Sequence, residues 1–422
     1  MAHNLPEQPD RASVFFSKIH TFDSFKNPAF RHYFLGMVGQ WSGMNMQMVT
    51  NSLLAYRVTG SAAILGIVAL ANAIPVLVLS LLGGVAVDRF QKKTLLQIGQ
   101  AGAMLVSLVI GFCLVTGYLS VENPESWLIL LGTSIFQGII AAFVMTARQS
   151  IIPELVSRKD LMNAVSLNTM GMNIFRLASP ALAGLIIDFI SFEAVYFIMA
   201  GLFASGVIFN AFLPRTRIPP ARGTNPIQDI KEGFQYMRGK YVIIFLLSFA
   251  FSFIVLFIPF QNLLPVFSES VLRVGATGLG VLMSISGAGA LLASFVFATI
   301  PSRKRGLVHL LSTLLVSVAL LFFCFSSNWT FSLILMIFIG IGQTGHVTTG
   351  TTLLQTHTEP QYLGRVMSIM MMNWGLSGLG TFLAGFMAHG IGIQWAIGGF
   401  AAILTAFSLA ALLFMPKIRN LE

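Results

Sequence analysis

Charge is what this chain has least of. Only 9% of its 422 residues are Asp, Glu, Lys or Arg, against roughly 25% in a soluble domain. With 55% hydrophobic residues and a mean hydropathy of +0.81, it carries more apolar surface than a core in water buries, so lipid is its expected solvent. Cysteine is nearly absent. Cys113 and Cys324 both fall inside apolar runs, which excludes a disulfide framework and a thiolate metal site. There is no HExxH, no paired carboxylates, no Ser-His-Asp spacing and no nucleotide-binding glycine loop. An enzyme is therefore disfavoured, and no cofactor or metal is expected. The chain does not open with a basic stretch, an apolar core and a cleavage site, so no cleaved signal peptide is expected. Acids are missing from the middle of every apolar run.

What is present is a series of twelve apolar runs, each near the ~20 residues that a membrane-crossing helix needs. The first six cover about 33–56, 62–87, 94–118, 127–149, 164–187 and 192–213. The second six cover about 242–267, 276–300, 306–326, 329–356, 365–388 and 391–415. The expected fold is all-α integral membrane, with two pseudo-symmetric six-helix bundles. Its parts are a cytoplasmic N-terminal segment 1–32, a first bundle 33–213, a linker 214–240, a second bundle 241–415 and a tail 416–422. In the N-terminal segment Phe15, Ile19 and Phe22 recur at helical spacing. They fit a short helix on the membrane surface or an irregular tail.

The basic residues report topology. With this span count, 22 of the 25 fall on one side, including six in the linker: Arg215, Arg217, Arg222, Lys231, Arg238 and Lys240. Arg57 and Arg273 fall on the other side, and Arg176 lies within a span. By the positive-inside rule both termini and the linker are expected in the cytoplasm. The net charge of +10 thus reads as orientation, and a nucleic-acid partner is not expected. The halves also repeat weakly. Ala62, Leu65 and Gly66 align with Ala276, Leu279 and Gly280, and Asp88-Arg89 aligns with Ser302-Arg303. Repeated halves are common in transporters that bind near the midplane.

A charged hairpin joins the second and third runs. Gly84, Asp88, Arg89, Lys92 and Lys93 match the hairpin signature of the major facilitator superfamily, which the chain resembles over nearly its whole length. Gln91 stands where glycine is usual, and the second-half copy has lost its acid. Around the fourth and fifth spans, Arg148, Pro153-Glu154-Leu155-Val156, Leu161, Asn163-Ala164, Asn168, Asn173, Arg176 and Ser179-Pro180-Ala181-Leu182-Ala183-Gly184 look like the branch of macrolide and siderophore exporters. In the span-five element Pro180 and Gly184 match, while Ser179 and Ala183 replace glycines. The resemblance implies that Asp88 gates the cytoplasmic side by capping the start of span eleven near Gly364 and Arg365, with Arg148 in the same cluster. A charge-assisted hydrogen bond of about 1.5–3 kcal/mol suffices to bias such a gate. A solvated topology signal is the alternative.

Arg176 is an isolated cation near mid-span, where it costs at least ~2.5–3.5 kcal/mol unpaired. Its partner is expected among backbone carbonyls near Pro180, Asn45 and Gln47, or a substrate group. Gln40, Gly43, Gln47 and Asn51 share one helical face of span one. Gln137 in span four, Ser252 and Gln261 in span seven, and Gln343, His346 and Thr348 in span ten add polarity. The resemblance implies that spans one, four, seven and ten line a cavity, and interhelical hydrogen bonding is the alternative. Phe249, Phe253, Phe257 and Met370-Met371-Met372 offer adaptable apolar surface. For proton coupling His346 is the interior candidate, since an ordinary His titrates near pH 6.5. Asp188 and Asp88 are the others.

The expected protein is a multi-pass transporter of the cytoplasmic membrane, monomeric, with a small-molecule substrate and protons as partners in the bilayer. The resemblance implies export of small amphipathic, drug- or siderophore-like compounds by alternating access. A lipid, lysophospholipid or nutrient permease of the same fold is one alternative, and a non-transporting receptor is another.

Overall fold

The structure is a computed structural model that describes residues 23–89, 91–123, 125–157, 159–214, 226–299 and 304–421. The N-terminal Phe15, Ile19 and Phe22, the linker residues Arg215, Arg217 and Arg222, and the degenerate Ser302-Arg303 copy lie outside the described residues.

Every regular element among the described residues is helical. In chain order these are α1 (Pro28–Thr59), α2 (Ala62–Arg89), α3 (Lys92–Val115), α4 (Trp127–Leu155), α5 (Leu161–Phe189), α6 (Phe192–Ala211), α7 (Pro226–Met237), α8 (Tyr241–Val266), α9 (Gly275–Thr299), α10 (Arg305–Cys324), α11 (Trp329–His357), α12 (Leu363–Met372), α13 (Ser377–Ile391), α14 (Ile393–Phe414) and α15 (Pro416–Arg419). Their ends follow local chemistry. Asn27 caps α1, accepting from Ala29 N at 2.9 Å, and Pro28 fills the first helical position, where its missing N–H is no loss. At the other end Gly60 takes a left-handed φ of 63° and bonds Tyr56 O, a conformation that favours glycine. Asn328 caps α11 through Phe331 N at 3.0 Å.

Ten helices among the described residues are long and apolar enough to cross a membrane, two fewer than the expected spans. The first span is α1, 32 residues long, whose polar face lowers its hydropathy. The eleventh is expected as one helix over 365–388 but is broken. A 3-10 turn, Asn373–Leu376, separates α12 from α13, and within it Gly375 lies against Leu77 of α2.

Two seams join the bundles. Along one, α2 packs on α13: a Cβ on Gly66 would meet Phe382 Cα at 2.9 Å, and Gly385 lies against Ala62. Along the other, α5 packs on α9: Gly184 lies against Ala276 and Thr277, and Gly280 against Pro180 and Ala181. The repeated Ala-x-x-Leu-Gly segments thus do equivalent work in both halves. Small residues let membrane helices approach backbone to backbone, where dispersion and not hydrophobicity drives association.

The buried apolar residues divide by depth. Among the described residues one cluster draws on both bundles, from Met46, Val49 and Ile187 to Phe257, Leu279 and Ile397. Toward the termini there are two clusters. One is built on Phe30, Trp41, Ile151 and Leu213 of the first bundle, the other on Met237, Leu246, Leu354 and Ile418 of the second. The bundles share a core at one end and hold separate cores at the other.

The linker helix α7 docks on the second bundle. Glu232 pairs with Arg365 at 2.7 Å, and the Tyr236 and Tyr362 rings stack at 4.0 Å. Lys240 pairs with Glu359 at 3.2 Å. The Lys240 hydrogen bond, helped by Gln361, holds the Glu359 carboxyl below the ordinary carboxylate range. Its share of the docking is therefore present at neutral pH and fades as pH falls through that lowered value.

Candidate functional site

The bundles meet in the middle at Arg176. Its Nη2 donates to Oε1 of Gln343 on α11 at 3.2 Å, and Gln261 Nε2 of α8 donates to the same oxygen at 3.1 Å. Arg176, Gln261 and Gln343 are thereby brought together, and the arginine's partner is Gln343 rather than Asn45 or Gln47. Arg176, Pro180 and Gly184 all lie on the α5–α9 seam: Gly287 of α9 faces Arg176 and Leu177, Gly280 faces Pro180, and Ala276 faces Gly184.

The remaining polar residues of the spans sort into two groups. Some are satisfied within a bundle. Asn51 accepts from Tyr196 Oη at 2.7 Å, Ser252 donates back to Ser248 O at 2.9 Å, and Thr348 is exposed, with its carbonyl taken by Thr352. Others keep a buried polar atom without a partner: Gln40 Oε1, Gln47 Nε2, Gln137 Nε2 and Asn373 Nδ2. Such atoms carry a desolvation penalty unless something fills their valence. They mark positions where a polar ligand is worth most.

His346 sits apart from this cluster. It is 3% exposed, with its ring stacked on Phe253 at 3.9 Å and on His309 of α10 at 4.6 Å. Thr313 Oγ1 donates to His309 O, so it accepts from His346 Nδ1 at 2.7 Å. Thr349 likewise donates to Gly345 O and accepts from His309 Nδ1 at 3.0 Å. The histidine pair is enclosed inside the second bundle. His309 was not legible as its partner because the two lie on different helices.

At the end remote from the termini is a charged latch. Arg57, at the end of α1, reaches Glu269 Oε1 through Nη2 at 2.7 Å and Nε at 3.0 Å, and Asp188 Oδ1 at 3.8 Å. Asp188 ends α5 and accepts from Thr277 N at 2.7 Å. That places a carboxylate on the positive N-terminus of α9. Glu269 is carried on a π turn, Phe267–Val271, that continues α8 beyond Pro265. From the sequence Arg57 reads only as a topology marker, and Glu269 belongs to no motif. The available signal was that Arg57, Asp188 and Glu269 share the face with few charges.

At the opposite end, Lys92 pairs with Glu154, and Lys93 Nζ donates to Ala211 O at 2.7 Å and Leu213 O at 2.6 Å. Cations at the C-terminal carbonyls of α6 are favourably placed. These two basic residues tie the hairpin to its own bundle. Arg148 is partly buried within electrostatic reach of Tyr33. The α2 backbone continues through Arg89, while the side chains of Asp88 and Arg89, and the surroundings of Gly84, lie outside what is described.

Two helical bundles, joined on small-residue seams around a polar centre, with a charged latch at one end, are the construction of a membrane transporter and not of an enzyme. The chain belongs to the Major Facilitator Superfamily, whose family model matches residues 33–381. It is 29% identical over 379 residues to a staphyloferrin A transporter of Staphylococcus aureus, spanning 86% of this chain and 89% of that protein. It is 26% identical over 365 residues to the enterobactin exporter EntS of Salmonella choleraesuis, spanning 81% and 80%. Among solved structures it is similar in fold to a D-xylose-proton symporter, with TM-score 0.70 and 14% identity, covering 93% of this chain and 98% of that one. The protein is thus a multi-pass transporter of small molecules, similar to siderophore transporters.

Proposed function

We infer that this chain exports small amphipathic, siderophore-like compounds across the cytoplasmic membrane by proton-coupled alternating access, with both termini in the cytoplasm. The observation that carries this reading is the division of the core, shared by both bundles near Arg57 and separate toward the termini. It is the core of a state closed at one end. The positive-inside rule puts the end with few charges outside, so the closed end faces out and the cytoplasmic end is placed to load substrate. Similarity to a staphyloferrin A transporter and an enterobactin exporter supports the substrate class. With no acid in mid-span, neutral, zwitterionic or anionic cargo is favoured over cations.

Protons arriving from outside meet Asp188 and Glu269 first. Protonating either removes a charge facing Arg57 and loosens the latch, which links inward proton movement to outward opening. In the opposite state Asp88 holds the cytoplasmic end by capping the start of α12. Each chain holds both bundles and both seams between them, so the working unit is a monomer.

The test is flux of a siderophore and drug panel in proteoliposomes, with and without an imposed pH gradient. Gradient-accelerated flux is expected. Flux indifferent to the gradient removes proton coupling, and no flux of any compound favours a receptor. A second expectation concerns the hairpin: Asp88→Asn inserts normally yet lowers transport about fivefold or more, the effect of about 1 kcal/mol on a two-state balance. Normal transport by the well-expressed variant removes the gate.

A further inference from the structure

Arg176 lies midway along α5, twelve residues before Asp188 on the same helix, which is about 18 Å at the rise of an α-helix. No acid of the chain falls in the interior of a span, so the chain supplies this cation with no counter-charge at its depth. What it does supply is one neutral oxygen. Gln343 Oε1 accepts from Arg176 and from Gln261 together. A guanidinium has five N–H donors and each primary amide two, so the cluster is rich in donors and poor in acceptors.

We propose that Arg176, with the amide of Gln261 beside it, is the recognition site for a carboxylate on the transported compound. A carboxylate is anionic at neutral pH, brings acceptors only, and matches the guanidinium fork in a bidentate pair. A neutral hydroxyl or catechol brings a donor into a site already crowded with donors and leaves the cation uncompensated. The site also bears on the cycle. Arg176 belongs to the first bundle and Gln343 to the second, so their bond crosses the seam. A carboxylate that takes Arg176 displaces Gln343 and removes a tie between the bundles. Binding of the right cargo thereby loosens the middle of the molecule, and cargo without the charge does not.

This inference rests on the transporter reading above, and its test separates the two. Binding of benzylsuccinate and of its uncharged dimethyl ester to the purified full-length protein is measured by calorimetry. The diacid is expected to bind about tenfold or more tightly than the ester, as a charge-assisted bidentate contact requires. The preference is expected to vanish in Arg176→Gln and to survive in part in Arg176→Lys, which keeps the charge but loses the fork. The Arg176→Lys result keeps the test decisive if Arg176→Gln fails to fold, because an undiminished preference with lysine there also overturns the fork. Equal binding of acid and ester, binding of neither, or an undiminished preference in a folded Arg176→Gln protein overturns the proposal. Proteoliposome flux is read alongside. Carboxylate preference without flux of any compound keeps the site and removes the transporter reading. Flux without carboxylate preference does the reverse.

Discussion

A Gly184→Val protein is expected to insert normally, to lose its closed end and to transport at least about tenfold more slowly. A Cβ at position 184 would lie 2.9 Å from Ala276 C and 3.1 Å from Thr277 Cα. Both are backbone atoms, so no rotamer change relieves the clash, and the two helices must separate. Separation pulls Asp188 from Thr277 N, now 2.7 Å away, and opens the shared core around Ile187 and Leu279. Overpacking of this kind costs about 1–3 kcal/mol, and one or two kcal/mol already moves a two-state ratio about 5–30-fold. The check is reactivity of a Leu279→Cys reporter toward an impermeant maleimide, in a background with Cys113 and Cys324 replaced. Leu279 is fully buried in the closed state, so the valine variant should label much faster. Unchanged labelling together with normal transport would show that the seam tolerates a side chain there.

Charge reversal at the latch is expected to act almost as strongly, by a different physical route. Arg57→Glu would gather three carboxylates where an arginine now holds two. Arg57 and Glu269 side chains are 34% and 27% exposed, so solvent screens them, and each attraction is worth at most about 1 kcal/mol. Reversal replaces two attractions with two repulsions and weakens the grip of Asp188 on the N-terminus of α9. A shift toward the outward-open state of about 5–30-fold follows. Pairing it with Glu269→Arg restores one ion pair and should recover most of the closed population. Because the groups are partly exposed, the single variant should also recover partly in high salt. The maleimide assay reads all three. A double variant as open as the single one would mean that the latch holds through something other than charge.

Most of the architecture was legible without coordinates because a bilayer imposes a simple rule. Spans must be apolar and internally hydrogen-bonded, so their number and direction show up as hydropathy and charge. The rule gave way where the sequence serves function. The Gln40–Asn51 face leaves α1 less apolar than the other long spans, and the Asn373-Trp374-Gly375 break splits the eleventh span. The span-five motif was visible as a pattern, but its role was not. Gly184 and Gly280 gain meaning only because each meets a backbone 90 or more residues away in sequence. Gln343 as the partner of Arg176, and His309 as the partner of His346, were hidden for the same reason. Side-chain pairing between helices has no period that a single chain displays.

The sequence by itself determined that this protein lives in lipid, how its helices are strung, and that one arginine would stand in mid-membrane without a counter-charge. Composition and charge order decide those things, because transfer into hydrocarbon depends on each segment alone. Only the tertiary structure decided which end is closed, which charges close it, and that Arg176 spends its hydrogen bond across the seam on a neutral amide. Those are outcomes of packing two bundles face to face. Contacts between segments distant in the chain are set by shape and proximity, which no single segment contains.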